Sequence, residues 1–341
     1  MRRRGVTVLF GAILVVLLVA GIMSAPVPYV TLGPGPTVNT LGQSDGHDVI
    51  EVKDAPTSTS AGQLRLVTVS VASDYYLLDA LRGWLDPEEA VVPRELIYPP
   101  DRSEKEVDEQ NARDFVASQT SAETSALREL GYPVQVTVSE VEKGAPADGK
   151  LAAGDVITTV DAAQVTSGQK LQELIRSKPV GSELAVGYTR SGKPATTTIT
   201  TAANREGGPR IGVAIENKQP HPFTLKIDLD KIGGPSAGLM FALGIIDKLE
   251  PADLTGGKII AGTGTIDDEG RVGPIGGVPQ KLVAAKEAGA TVFLTPEANC
   301  AEAAQNALAG LSLVEVSTLD EALDALEAVR EGREPTLCPA A

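Results

Sequence analysis

Apolar and polar positions change rhythm several times along the 341-residue chain. Residues 6–23 form a stretch of 18 positions without a charge, preceded by Arg2, Arg3 and Arg4. A run of that length can cross the hydrocarbon core of a bilayer as a helix. The following PVPYVTLGPGPTVNTLG is rich in Pro and Gly and predicts an extended segment leading away from it. VIEV and LRLVTVSVAS then read as strands. Residues 74–85 read as a helix on which Tyr76, Leu77, Leu81 and Trp84 make an apolar stripe. The charged tract 101–110 predicts a solvated helix face or mobile loop, and SQTSAETSALREL continues it helically.

Further on, short β-rich runs from Leu130 to Thr200 bracket one amphipathic helix at 167–177, with Gly144, Gly149, Gly154 and Gly181 punctuating turns. In the last third, KIIAGTGTID, ATVFLTP and LSLVEVS are strand-like. They alternate with predicted helices at 236–248, 280–287, 301–308 and 319–331, the pattern of a mixed α/β domain. Thr318 with Glu321 reads as a capping box for the last helix.

The N-terminal segment places this body outside the cytoplasm. The three arginines should stay inside, which orients everything after Ala25 outward as a single-pass protein. The rival is a cleaved signal peptide ending at Met23-Ser24-Ala25; the length of the apolar run favours a retained anchor. A net charge of −15 excludes nucleic acid as a partner and keeps the body off anionic lipid heads. Cys300 and Cys338, the two cysteines, are a candidate disulfide in that setting. His47 and His221 stand in no spacing that suggests a triad or a metal site, and no metal or cofactor is expected.

Two segments carry chemistry. Ser236 in GGPSAGLMFALGIIDKL follows a Gly-Gly-Pro turn and opens an apolar helical run, which should set its hydroxyl beside free N–H groups able to hold an oxyanion. Lys281 in GGVPQKLVAAKEAGA sits at a second turn-to-helix junction, where Pro279 suits a first helical position and Gly276 and Gly277 allow a sharp turn. The positive end of that helix, together with poor solvation, should lower its pKa and let it act as general base toward Ser236. Lys286 points about 140° away around the helix and reads as solvated. A lone serine cap or a lone helix-start lysine is commonly structural; the ordered set is what points to a Ser-Lys serine hydrolase.

GGPSAG, AGTGTIDDEGRVGPIGG and the lysine together resemble the proteolytic domain of Lon-type peptidases, over roughly residues 204–330. The resemblance implies Ser236 as nucleophile, Lys281 as base and Thr263 as the residue that orients the lysine; Thr265, two residues on, shares its strand face and stays open as the alternative. It also makes a hexameric ring worth testing. The chain departs from the ATP-driven members: these residues hold no G-x-x-x-x-G-K-[ST] loop, so the expected substrates are exposed or unfolded segments cut without ATP. Ser167 to Lys170 forms an S-x-x-K string without its usual partner motifs and reads as a helix cap.

GAPADGKLAAGDVITTVDAAQV resembles a PDZ domain, over roughly residues 126–203. Such domains add an extended peptide to a sheet edge and hold its carboxylate with N–H groups of the loop before the receiving strand, here expected at Leu130, Gly131 and Tyr132. The expected organisation is a cytoplasmic tip and anchor (1–25), a segment 26–125 belonging to the protease domain, the PDZ-like domain (126–203) and the catalytic domain (204–341). The reading that follows is a membrane-tethered, ATP-independent serine endopeptidase acting on protein or peptide substrates, with a non-catalytic PDZ adaptor or a self-processing protein as alternatives.

Overall fold

The computed structural model describes residues 2–23, 25–73, 76–229 and 233–340. Along the first part run helix α1 (Arg2–Met23), strands β1 (Tyr29–Asn39), β2 (Ile50–Lys53) and β3 (Gln63–Ala72), helix α2 (Leu77–Gly83), strand β4 (Ala90–Pro93) and helix α3 (Glu104–Glu129). The middle holds β5 (Gln135–Val141), β6 (Val156–Val160), α4 (Gly168–Arg176), β7 (Glu183–Arg190), β8 (Lys193–Thr200) and β9 (Val213–Lys218). The last part runs through β10 (Thr224–Ile227), α5 (Gly238–Leu249), β11 (Ile259–Gly262), β12 (Thr265–Ile266), β13 (Val272–Gly273) and α6 (Val278–Glu287). It ends with β14 (Val292–Pro296), α7 (Cys300–Gln305), β15 (Ser312–Val316) and α8 (Leu319–Glu331). These elements fold into two compact units, Met1–Ser125 with Leu225–Ala341, and Ala126–Thr224.

The first unit is built on a six-stranded mixed sheet in the order β15-β14-β11-β3-β1-β4. Its parallel half is β3, β11, β14 and β15; β1 runs antiparallel to both β3 and β4. Because β11 pairs directly with β3, Ile259 opposite Gln63 and Gly262 opposite Leu66, residues 26–125 share one sheet with the last third of the chain. The Pro- and Gly-rich segment expected to run out extended is therefore the sheet strand β1. A register shift between Pro34 and Thr37 absorbs its proline and glycine. Gly35 is required there, since a Cβ on it would lie 2.3 Å from Thr68 Oγ1.

Helices α5 and α6 both pack on β3. α5 is buried on almost every side, as a helix apolar all round should be. Val278, Leu282 and Ala285 of α6 meet Val67, Ala261 and Phe293 of the sheet in one apolar cluster. Removing the fully buried Phe293 side chain would cost about 3–5 kcal/mol. Cys300 and Cys338 are joined in a disulfide, and the C-terminal tail lies along β15, with Glu315 N–H donating to Thr336 O and Cys338 N–H to Leu313 O.

Several boundaries differ from the sequence reading. α5 begins at Gly238, after a turn, rather than at Ser236. α2 covers Leu77–Gly83; Asp74, the expected start, lies outside the described residues. The tract 101–110 is the ordered beginning of α3 from Glu104.

Among the described residues no helix is long and apolar enough to cross a membrane. The side chains of the flanking arginines, and Ser24 of the cleavage motif, lie outside the described residues.

The second unit is an antiparallel sheet in the order β8-β7-β6-β5-β9, with α4 beside β6 and β9. Val136, Val138, Ile157, Leu171, Leu184, Val186 and Ile199 form its core. Ser167 caps α4, its Oγ accepting from Lys170 N–H at 3.1 Å. Asp155, at the Gly-Asp corner, is buried and held by a two-pronged contact from Arg190, Nε to Oδ1 and Nη2 to Oδ2 at 2.7 Å each. The unit extends to Thr224 because β9, at residues the sequence reading assigned to the catalytic half, pairs with β5.

Candidate active site

Ser236 stands in the turn between the residues outside the described set, 230–232, and helix α5. Two contacts from α3 hold that turn: Ser118 Oγ donates to Pro235 O at 2.9 Å, and Gly234 N–H donates to Asn111 O at 3.0 Å. The next turn of α5 presses so close that a Cβ on Gly238 would lie 2.8 Å from Ser118 Oγ and 2.9 Å from Ile266 Cγ2. A glycine is thus what lets the helix begin directly behind the serine. Ser118 was not singled out in the sequence; its only signal was a small polar residue on a helix face otherwise facing the core.

On the other side, Lys281 enters from the first turns of α6 and is 3% exposed. Its Nζ donates to Thr263 Oγ1 at 3.0 Å, and Thr263 Oγ1 donates onward to Ser236 O at 3.0 Å. Gly264 N–H reaches the same carbonyl at 2.9 Å. Thr263 follows the end of β11, so one strand end carries the link between the lysine and the backbone of the serine. Thr265 makes no such link; it lies on β12 and lines the adjoining cavity.

Burial lowers the Lys281 pKa to about 8. The cause is desolvation of the ammonium in its buried position. Lys286 on the same helix is exposed. Among the described residues Ser236 Oγ and Lys281 Nζ form no hydrogen bond, but both line one cavity of 840 Å³. Its walls are β3 from Thr68 to Val71, and the segment Pro274-Ile275-Gly276-Gly277. A substrate carbonyl could enter between the hydroxyl and the amine from this side.

Other expected sites resolve differently. The loop Leu130-Gly131-Tyr132 is not placed to receive a carboxylate, because all three N–H groups are already spent on Ala126, Arg128 and Leu127 carbonyls. Moreover, the strand that follows, β5, is paired on both sides, to β6 and to β9. The edge strand beyond β5 is β9, and a 640 Å³ groove runs between it and α4, lined by Leu171, Ile175, Ile211, Val213 and Ile215. The sequence reading missed it because β9 was counted with the catalytic half. The one compact group of potential metal ligands among the described residues, Cys300, Glu315 and Cys338, has both sulfurs in the disulfide.

Comparison with known proteins divides the chain in a similar way. Residues 230–328 match the Lon protease (S16) C-terminal proteolytic domain. Residues 230–328 are thus similar to a serine-peptidase domain. Residues 107–201 match the PDZ domain family. Among curated relatives, a Lon protease of Clostridioides difficile is 42% identical over 94 residues, 27% of this chain and 12% of that protein. Lon protease 2 of Bacillus subtilis is 40% identical over 95 residues, 27% of this chain and 16% of that protein. The chain therefore spans only a small part of the length of the relatives it matches. Among solved structures, the PDZ domain of an SdrC-like protein from Listeria monocytogenes is 32% identical, covering 24% of this chain and 85% of that one, with a TM-score of 0.23.

Proposed function

We propose that this chain is a serine endopeptidase that cuts exposed or unfolded protein segments without ATP, with Ser236 as nucleophile and Lys281 as the base that moves its proton. The observation that carries this reading is the buried lysine bonded to Thr263, whose hydroxyl in turn holds the Ser236 carbonyl. One proton arrangement follows from these two contacts. Thr263 spends its one hydroxyl hydrogen on Ser236 O, so it must accept from Lys281. A neutral amine that donates one hydrogen to Thr263 still keeps its lone pair free.

In the reaction that follows, a peptide carbonyl enters the cavity and Ser236 Oγ attacks its carbon while Lys281 Nζ takes the hydroxyl proton. Leu239 N–H is already committed to Gly264 O, and in this reading backbone amides of the turn at Ser236 receive the developing oxyanion. The ammonium then gives its proton to the departing amine, leaving an acyl-enzyme. Water, deprotonated by the neutral lysine, attacks the ester, and the proton returns to Ser236 as the acid product leaves.

The second unit serves as a peptide-docking module in this reading. An extended segment adds to the open edge of β9 and sets an apolar side chain among Leu171, Ile175 and Ile215. The body is tethered by residues 6–23 and works outside the cytoplasm, as the charge-free run behind three arginines and the disulfide favour. Ring assembly, implied by the resemblance to Lon-type domains, would be read from the mass of the detergent-solubilised chain.

A fluorophosphonate probe tests the site directly. Mass mapping of the labelled full chain should place the adduct on Ser236, with labelling lost in Lys281→Ala. An adduct elsewhere, or none, would remove the assignment. Flotation of the full chain with lipid vesicles, lost in a chain starting at residue 26, tests the tether.

A further inference from the structure

The cavity wall Pro274-Ile275-Gly276-Gly277 joins β13 to α6, the helix that carries Lys281. One proline and two glycines give this segment little shape of its own. What holds its middle is a side chain. Asn299 is 7% exposed, its Oδ1 accepts from Ile275 N–H at 2.9 Å, and its Nδ2 donates to Ile275 O at 3.0 Å. The amide thus completes both backbone hydrogen bonds of one residue, as a neighbouring strand would. Asn299 ends the turn Glu297–Asn299 behind β14, and the next residue, Cys300, is tied by its disulfide to Cys338. The clamp therefore stands between the end of β14 and the disulfide, while the segment it grips faces the cavity.

We infer that Asn299 is a positioning residue for substrate: it presets the wall 274–277 against which the peptide docks, opposite Thr68 to Val71 of β3. The inference rests on the peptidase reading and deepens it. With Asn299 gone, a buried N–H and C=O lose their partner and the wall samples other conformations, so each docking event must order it again. That loss falls on binding. Lys281 is fixed separately, by its burial in α6 and by Thr263, so the proton chemistry stays.

The test compares the full chain with Asn299→Ala and Asn299→Asp, using hydrolysis of an unfolded model protein and amide hydrogen exchange at residues 274–277. Asn299→Ala should raise KM about tenfold or more, leave kcat within about threefold and keep the pH midpoint of kcat unchanged. Asn299→Asp keeps the acceptor for Ile275 N–H but loses the donor to Ile275 O, so its KM should fall between the two. Exchange at Ile275 should speed up in the same order. Merely losing folded protein would lower kcat alone and leave KM in place. Unchanged KM with a cleaving parent chain overturns the inference and leaves the peptidase standing. A parent chain that does not cleave removes both, and exchange at Ile275 that is the same in all three proteins removes the clamp itself.

Discussion

Lys281 Nζ donates to Thr263 Oγ1 across 3.0 Å, joining a residue of α6 to the end of β11 in the buried floor of the candidate active site. Through Thr263 the same link continues to the backbone carbonyl of Ser236. Lys281, Thr263 and the backbone of Ser236 are therefore joined by one run of hydrogen bonds, and most of the expectations below follow from it.

Burial puts the Lys281 pKa at about 8, below the ordinary lysine value near 10.5. The amine is protonated below that pH and neutral above it, so peptidase activity should rise with pH and reach half its plateau near pH 8. Proton binding in the unfolded chain exceeds that in the folded one between about pH 8 and 10.5, so stability should rise with pH through that window. Lys281→Met should stabilise the chain at pH 7 by on the order of 2 kcal/mol and flatten this dependence, as urea unfolding at pH 7 and pH 10 would show.

Thr263→Val keeps shape and removes the hydroxyl. The ammonium form of Lys281 loses an acceptor, so its pKa should fall further and the pH midpoint of kcat should move below 8. Because Ser236 O also loses a donor, kcat should drop by about 10- to 100-fold. A pH–rate profile of the variant checks both effects.

Ser118 is buried and donates to Pro235 O next to the nucleophile. Ser118→Ala leaves that carbonyl without its hydroxyl partner, which should cost about 1 kcal/mol of stability and lower kcat several-fold. Ser118→Thr, which keeps the hydroxyl, should recover part of the loss. Parallel thermal unfolding and initial-rate measurements separate the two effects.

In the second unit, the Arg190 guanidinium hydrogen-bonded to Asp155 holds that carboxyl below its ordinary value, with Ala152 N–H adding to the effect. The stability this contributes is present above the unfolded carboxylate value near 3.8 and is lost as pH falls through the lower folded value. Arg190→Met should therefore destabilise this unit modestly at pH 7, the arginine being half exposed, and by less at pH 3. Hydrogen exchange in β5 to β8 at the two pH values would measure it.

Much of the catalytic half was legible because its signals are local. Ser236 behind Gly-Gly-Pro, Lys281 behind Gly-Gly-Val-Pro and the strand-helix alternation after residue 258 depend on neighbours in sequence. What was not legible depends on strand order. Val213 to Lys218 reads as a strand anywhere, but only the fold shows that it lies outside β5 and takes the edge away from the loop at Leu130 to Tyr132. The same limit hid Asn299, whose role exists only because Ile275, 24 residues earlier, arrives beside it without a strand partner. The start of α5 shifted for a steric reason: Gly238, packed against Ser118 and Ile266, is where the helix can begin.

The most direct measurement is hydrolysis of an unfolded model protein by the full chain without ATP, alongside Ser236→Ala and Lys281→Ala. The Ser-Lys account predicts steady multiple-turnover cutting by the parent chain and loss of at least about a thousandfold in each variant. Cutting that survives both substitutions, or a parent chain that cuts nothing, would contradict it.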